Sequence, residues 1–113
     1  MQQDVFASYY AVIFTSIRSN EYEGYTDMSN HMMELAAQQP GFLGVESARE
    51  KMGITISYWK TKEDILQWKQ HSEHAIAQKL GKENWYTYFK VRICKVEREY
   101  SFEKNDTETP IAN

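Results

Sequence analysis

The spacing of apolar residues changes repeatedly along this chain, and each change marks the edge of an element. From Tyr9 to Ile17 the run YYAVIFTSI is β-branched or aromatic on both alternating faces, with Tyr9, Ala11, Ile13 and Ile17 on one and Tyr10, Val12 and Phe14 on the other. A strand that is apolar on both sides is covered on both sides. Asn20 and Glu23 then form a capping-box pattern, after which Tyr22, Tyr25, Met28, Met32, Leu35 and Ala36 recur at three- and four-residue spacing. The pattern stops at Gln39-Pro40-Gly41 and predicts a helix of about 17 residues with one buried stripe. Phe42 to Arg49 and Ile54 to Trp59 read as short strands joined by the polar turn Glu50-Lys51-Met52-Gly53.

Thr61, followed by Asp64 three residues later, marks a second helix start. Ile65, Trp68, Ser72, Ala75 and Ile76 share one face of that helix. At ~100° per residue, His71, His74 and Gln78 gather on a different stripe about 60° wide. Gly81 ends or kinks the helix. The last strand is predicted from Tyr86 to Phe102, and its apolar phase slips: Phe89, Val91 and Ile93 are at odd positions, Cys94 and Val96 at even ones. Such a slip predicts either a bulge near Ile93-Cys94 or a change of buried face. Three segments follow: an N-terminal arm over 1–7, a folded domain over 8–103, and a tail over 104–113 whose composition predicts disorder.

The order β-α-β-β-α-β is the ferredoxin-like α+β arrangement, an antiparallel four-stranded sheet with two helices on one face. Helices cover only one face of such a sheet, and the first strand is apolar on both. A second copy of the chain is the expected cover, so a homodimer with a barrel-like shared interior is predicted.

Composition narrows the function. With 113 residues, 42% hydrophobic and 26% charged, the chain suits one folded domain. Its net charge of −3 argues against nucleic acid or an anionic membrane as partner. Lys90, Arg92, Lys95 and Arg98 cluster, but Glu97 and Glu99 interrupt them, as on the solvated edge of a strand. The one cysteine, Cys94, cannot close an internal disulfide, and no apolar run nears the ~20 residues that span a bilayer. No signal-peptide pattern opens the chain, so a cytoplasmic location is expected. GxSxG elbows, phosphate-binding glycine loops and CxxC pairs do not occur in the sequence, which leaves hydrolase, nucleotide-dependent and thiol-redox chemistry without support.

Candidate chemistry concentrates between Ile54 and Tyr86, which holds Trp59, Trp68 and Trp85 together with His71 and His74. Large aromatics there serve either as core or as the wall of a pocket for a flat apolar molecule, and histidine moves protons near neutral pH. Trp68 on the apolar helix face fits either use. His71 and His74 fit a solvated helix surface or a general base; as a lone pair they are a weak metal site.

In this order the chain resembles the antibiotic biosynthesis monooxygenase family of the dimeric α+β barrel superfamily. The likeness rests on Pro40-Gly41-Phe42 with Gly44-Val45, on Ile56-Ser57-Tyr58-Trp59-Lys60-Thr61-Lys62-Glu63-Asp64, on Trp68 with His71 and His74, and on Trp85-Tyr86 leading to Val91, Glu97, Tyr100 and Phe102. It covers roughly residues 8 to 102. The resemblance implies a monooxygenase that inserts oxygen from dioxygen into aromatic, phenolic or quinol-like molecules without flavin, metal or other cofactor. It gives His74, or else His71, the role of base, and makes Trp59, Trp68, Trp85 and Tyr86 the substrate wall. Haem-degrading members of the superfamily are the alternative. They resemble this chain at Trp68, but they place a haem-ligating histidine where it has Gln78 and an asparagine on the first strand, which YYAVIFTSI lacks. A third reading is binding of a small hydrophobic ligand without turnover.

Overall fold

The computed structural model describes residues 2–20, 25–78 and 85–104, with side chains described over 7–20, 27–73 and 85–104. Within them the order is β1 (Gln2–Arg18), α1 (Tyr25–Ala37), β2 (Phe42–Arg49), β3 (Gly53–Trp59), α2 (Lys62–Gln78) and β4 (Tyr86–Phe102). The sheet order is β2-β3-β1-β4 and every pairing is antiparallel. This is the ferredoxin-like arrangement that the spacing predicts.

β1 begins at Gln2, so the segment expected as an arm is part of the strand. Gln2 to Phe6 pair with Arg98 to Phe102 beyond the reach of β3, whose ladder covers only Tyr10 to Ser16. The first turn expected for α1 falls partly on residues 21–24, outside the described residues, as does Gly81. The far end of α1 is closed by the Gln39 side chain, whose Nε2 donates to the Leu35 carbonyl at 3.1 Å.

No bulge interrupts β4 at Ile93-Cys94. Its register with β1 is unbroken from Tyr88 to Val96, and the shifts lie between Phe6 and Tyr9 and between Ile17 and Arg18. The apolar slip is therefore the other expectation, a change of face. Phe89, Val91 and Ile93 are opposite Ser16, Phe14 and Val12, whereas Cys94 and Val96 are opposite Ala11 and Tyr9.

These pairings sort the sheet into two surfaces. On one stand Tyr10, Val12 and Phe14 of β1, Trp59 and Ser57 of β3 and Phe42 of β2. Here the helices pack, α1 against β2 and α2 against β3, and the core forms from Ala36, Trp59 and Ile65 with Tyr10, Val12, Phe42 and Trp68 around it. On the other stand Tyr9, Ala11, Ile13 and Ile17 with Ile54, Ile56 and Tyr58. Among the described residues no helix covers that side.

The start of α2 and the end of α1 are tied together at one place. The Thr61 hydroxyl accepts from the Asp64 amide at 3.0 Å and donates to the Asp64 carboxylate at 2.8 Å, which caps α2. Gly41, at φ 84°, turns the chain into β2, and a Cβ there would collide with that same carboxylate. Only glycine meets both demands.

Candidate functional site

Trp59 ends β3 with its indole fully buried, and its N–H donates to the Ser57 hydroxyl at 2.9 Å. It is stacked against Trp68 at a ring separation of 6.1 Å and meets Phe42 edge-on at 5.5 Å. Expected as substrate wall, Trp59 has no exposed surface and lies in the core behind Trp68. Trp68 lies one layer out, half-buried, and the His71 imidazole packs against it at 5.9 Å, itself exposed. Three-residue steps along α2 carry this row from Trp68 to His71 and on to His74. His74 is helical, and its side chain lies outside the described part of the molecule.

Trp85 and Tyr86 are not brought to this group. Tyr86 is paired with Arg18, and Trp59 with Tyr10, so they are eight residue steps apart along β1, about 26 Å at strand rise. The Trp85 carbonyl accepts from the Ser19 amide at 2.8 Å, which fixes it at the far end of the sheet. Tyr86 instead joins Phe14 and Phe89, with ring separations of 5.5 to 5.9 Å.

Between the two aromatic groups the helix-side face of β4 is open. Phe89, Val91 and Ile93 expose 44%, 49% and 54% of their surface there, next to Phe14 and Val12. A contiguous apolar strip of this kind is a binding surface more often than an accident. From the sequence these residues read as packing. The Phe-x-Val-x-Ile alternation is visible there, but how far an edge strand stays exposed is set by tertiary geometry.

The helix-free face carries a different chemistry. Tyr58 donates to the Glu46 carboxylate at 2.7 Å, Tyr9 donates to Glu99, and the two phenol rings meet edge-on at 6.0 Å. This row crosses all four strands. The hydrogen bond to Glu46, then burial, pushes the Tyr58 phenol up to about 12; Tyr9 is raised for the same reasons, first by its bond to Glu99. Between pH about 10 and 12 the unfolded Tyr58 loses its proton while the folded one keeps it, so stability falls as pH rises through that window and is intact below it. Urea midpoints at pH 9 and 11 check this. Tyr58→Phe should flatten the alkaline fall, and an unchanged pH slope would remove Tyr58 as its source.

Among the described residues no three His, Cys, Asp or Glu side chains gather as a metal site, and no helix is long and apolar enough to cross a membrane. The family model for antibiotic biosynthesis monooxygenases matches residues 8–80. The chain belongs to that family. The uncharacterized protein YqjZ of Bacillus subtilis is 48% identical over 99 residues, covering 86% of this chain and 87% of its own length. SnoaB of Streptomyces nogalater, a cofactor-independent oxygenase solved as a point mutant, shares the fold with TM-score 0.61 at 14% identity over 91% of this chain and 99% of SnoaB. MhuD, also solved as a point mutant and with two manganese protoporphyrin IX bound per active site, shares it with TM-score 0.59 at 16% identity over 77% of this chain and 93% of MhuD. One backbone arrangement thus serves both a cofactor-independent oxygenase and a porphyrin-binding protein.

Proposed function

We propose that this protein is a cofactor-independent monooxygenase for a flat phenolic or quinol-like molecule. The observation that carries the reading is the open strip Phe89-Val91-Ile93 lying on the same sheet face as the half-buried Trp68, with the His71 imidazole packed against that indole. A planar substrate lies against the strip and Trp68, and His74, or else His71, accepts its acidic proton. The resulting anion is electron-rich enough to reduce dioxygen directly. One oxygen atom enters the activated ring carbon, the other leaves as water, and for an anthrone the carbon gains a carbonyl while losing two hydrogens. The chain's contribution is to hold the anion, keep water from it and manage the proton.

The proposal includes a homodimer. Two helix-free faces, apolar at Ile13, Ile54 and Ile56, close on each other and leave each strip on the outer, helix side of its own sheet.

Oxygen-electrode traces with anthrone as probe test the reading. Catalysed uptake should be present in the parent and fall by about 10²- to 10⁴-fold in His74→Ala, the usual weight of a general base. If His71→Ala falls instead, the base is one turn earlier; parent protein with no uptake above buffer would sink the oxygenase reading. Fold likeness to MhuD favours haem as the second reading, while Gln78 and the lack of asparagine on Tyr9–Ile17 speak against it. A Soret band that saturates at one or two equivalents of haemin would establish it.

A further inference from the structure

The far end of the helix-covered face holds a second, polar concavity that the oxygenase reading does not use. A cleft of about 200 Å³ is lined by Arg18, Ser29, Asn30, Ser47, Arg49 and Thr55, with Ala48 and Gly53 completing it. Residues that carry two guanidiniums, three hydroxyls and an amide thus line one space, and no carboxylate is among its described lining. We propose that this cleft is an oxyanion site, taking a carboxylate or phosphate group.

Arg49 is held in place by two features of β1 and β3. One of its Nη groups donates to the hydroxyl of Ser16, which is 1% exposed. Its guanidinium also lies where a Cβ at position 53 would stand, so Gly53 is the residue that lets it rest flat on the β3 backbone. A guanidinium fixed in this way has lost little freedom still to lose on binding, which favours an anion arriving later. In the cleft lining the Ser47 and Thr55 hydroxyls are 3.1 Å apart, so a proton shared between them leaves the other hydrogen free to turn toward a ligand. Ser29 and Asn30, one turn into α1, close the opposite wall. Both arginines also have contacts within the chain. With five N–H donors each, they can keep those contacts and hold an oxyanion too.

The cleft lies away from the Trp59-Trp68 pair but beside the end of the strip, since Phe89 and Gly53 are both opposite Ser16. Gly53 is opposite Ser16 and Trp59 opposite Tyr10 on the same ladder, which sets the two ends about 20 Å apart. A small phenol held against Trp68 does not span that distance, so the anion is a second ligand or the far end of a long one that follows the strip toward Phe89.

Amide chemical-shift titration of the full chain tests the proposal, with inorganic phosphate and acetate as separate probes and sodium chloride at equal ionic strength as control. Saturable shifts at Ser29, Asn30, Gly53 and Thr55 are expected with at least one probe, and the probe that saturates names the source of the oxyanion. Arg18→Gln should weaken binding by about 10- to 100-fold, the loss of one charge-assisted contact. Arg49→Gln risks the fold because of its seat on Gly53, so Asn30→Ala serves as the second variant and should weaken binding to a smaller extent. Shifts no larger than those with chloride, or parent-like titration of both Arg18→Gln and Asn30→Ala, would overturn the site. Anthrone oxidation plays no part in this readout, so the two proposals fail independently.

Discussion

Trp59→Ala is expected to cost about 3–5 kcal/mol of folding stability, the range for emptying a large aromatic position in a close-packed interior. Domains of this size have about 5–15 kcal/mol in total, so the variant would sit near the edge of folding. The reason is geometric. Trp59 has no exposed surface, stacks on Trp68, meets Phe42 edge-on, and joins Ala36 of α1 to Ile65 of α2. Its removal opens a void where both helices and the sheet converge, and leaves the Ser57 hydroxyl without its donor. Urea unfolding followed by circular dichroism measures the loss. Trp68→Ala is the control: half-buried, it should lose clearly less stability and more ligand binding. A Trp59→Ala midpoint within about 1 kcal/mol of the parent would show that the core is elsewhere.

Ile56→Glu is expected to turn the proposed dimer into monomers. Ile56 stands in the middle of the helix-free face, with Ile13 on one side and Glu46 on the other. Neither neighbour neutralises a new carboxylate, and Glu46 repels it. In a single chain the side chain is partly exposed and tolerates the change; between two sheets it would be buried and unpaired. Stranding a buried charge costs about 3–5 kcal/mol, and the two-fold doubles it, so the dissociation constant should rise by at least about 10⁴-fold. Light scattering on a sizing column reads the mass directly. Arg92 is opposite Ile13 on β4, so the same substitution at Ile13 would gain a partner and is the weaker test. A mass of two chains for Ile56→Glu would mean that the sheets do not meet through this face.

How far the residues alone predict this molecule depends on the range of the forces involved. The strands β2 and β3, the start of α2 at Thr61 and both ends of β4 follow from local spacing and capping, and they match the structure. So does the two-sided character of β1, since alternation along one strand is a local property. What the spacing does not supply is position across the sheet. Trp59 and Trp85 look equivalent along the chain, each closing or opening a strand beside a tyrosine, yet the antiparallel register sends them to opposite ends of the molecule. The slip at Ile93-Cys94 has two local explanations, and only the partner strand distinguishes them. Phe89, Val91 and Ile93 are about half exposed, and among the described residues α2 packs chiefly on β3, a matter of helix placement that no pattern in β4 records. Arg18 and Arg49 are 31 positions apart in sequence and share a cleft only because β1 and β2 flank the same strand.

The pairing of β1 with β4 also bears on how the molecule is made. Ile17 meets Tyr88, so about 70 residues must leave the ribosome before the middle strand of the sheet finds its second neighbour, several seconds at ordinary elongation rates. Throughout that interval the most apolar strand in the protein has at least one unsatisfied edge, because its earlier partner, β3, shields only the other once it has emerged. Nascent chains thus stay open to capture by chaperones or by each other until late in translation, when Tyr88 has followed Trp59.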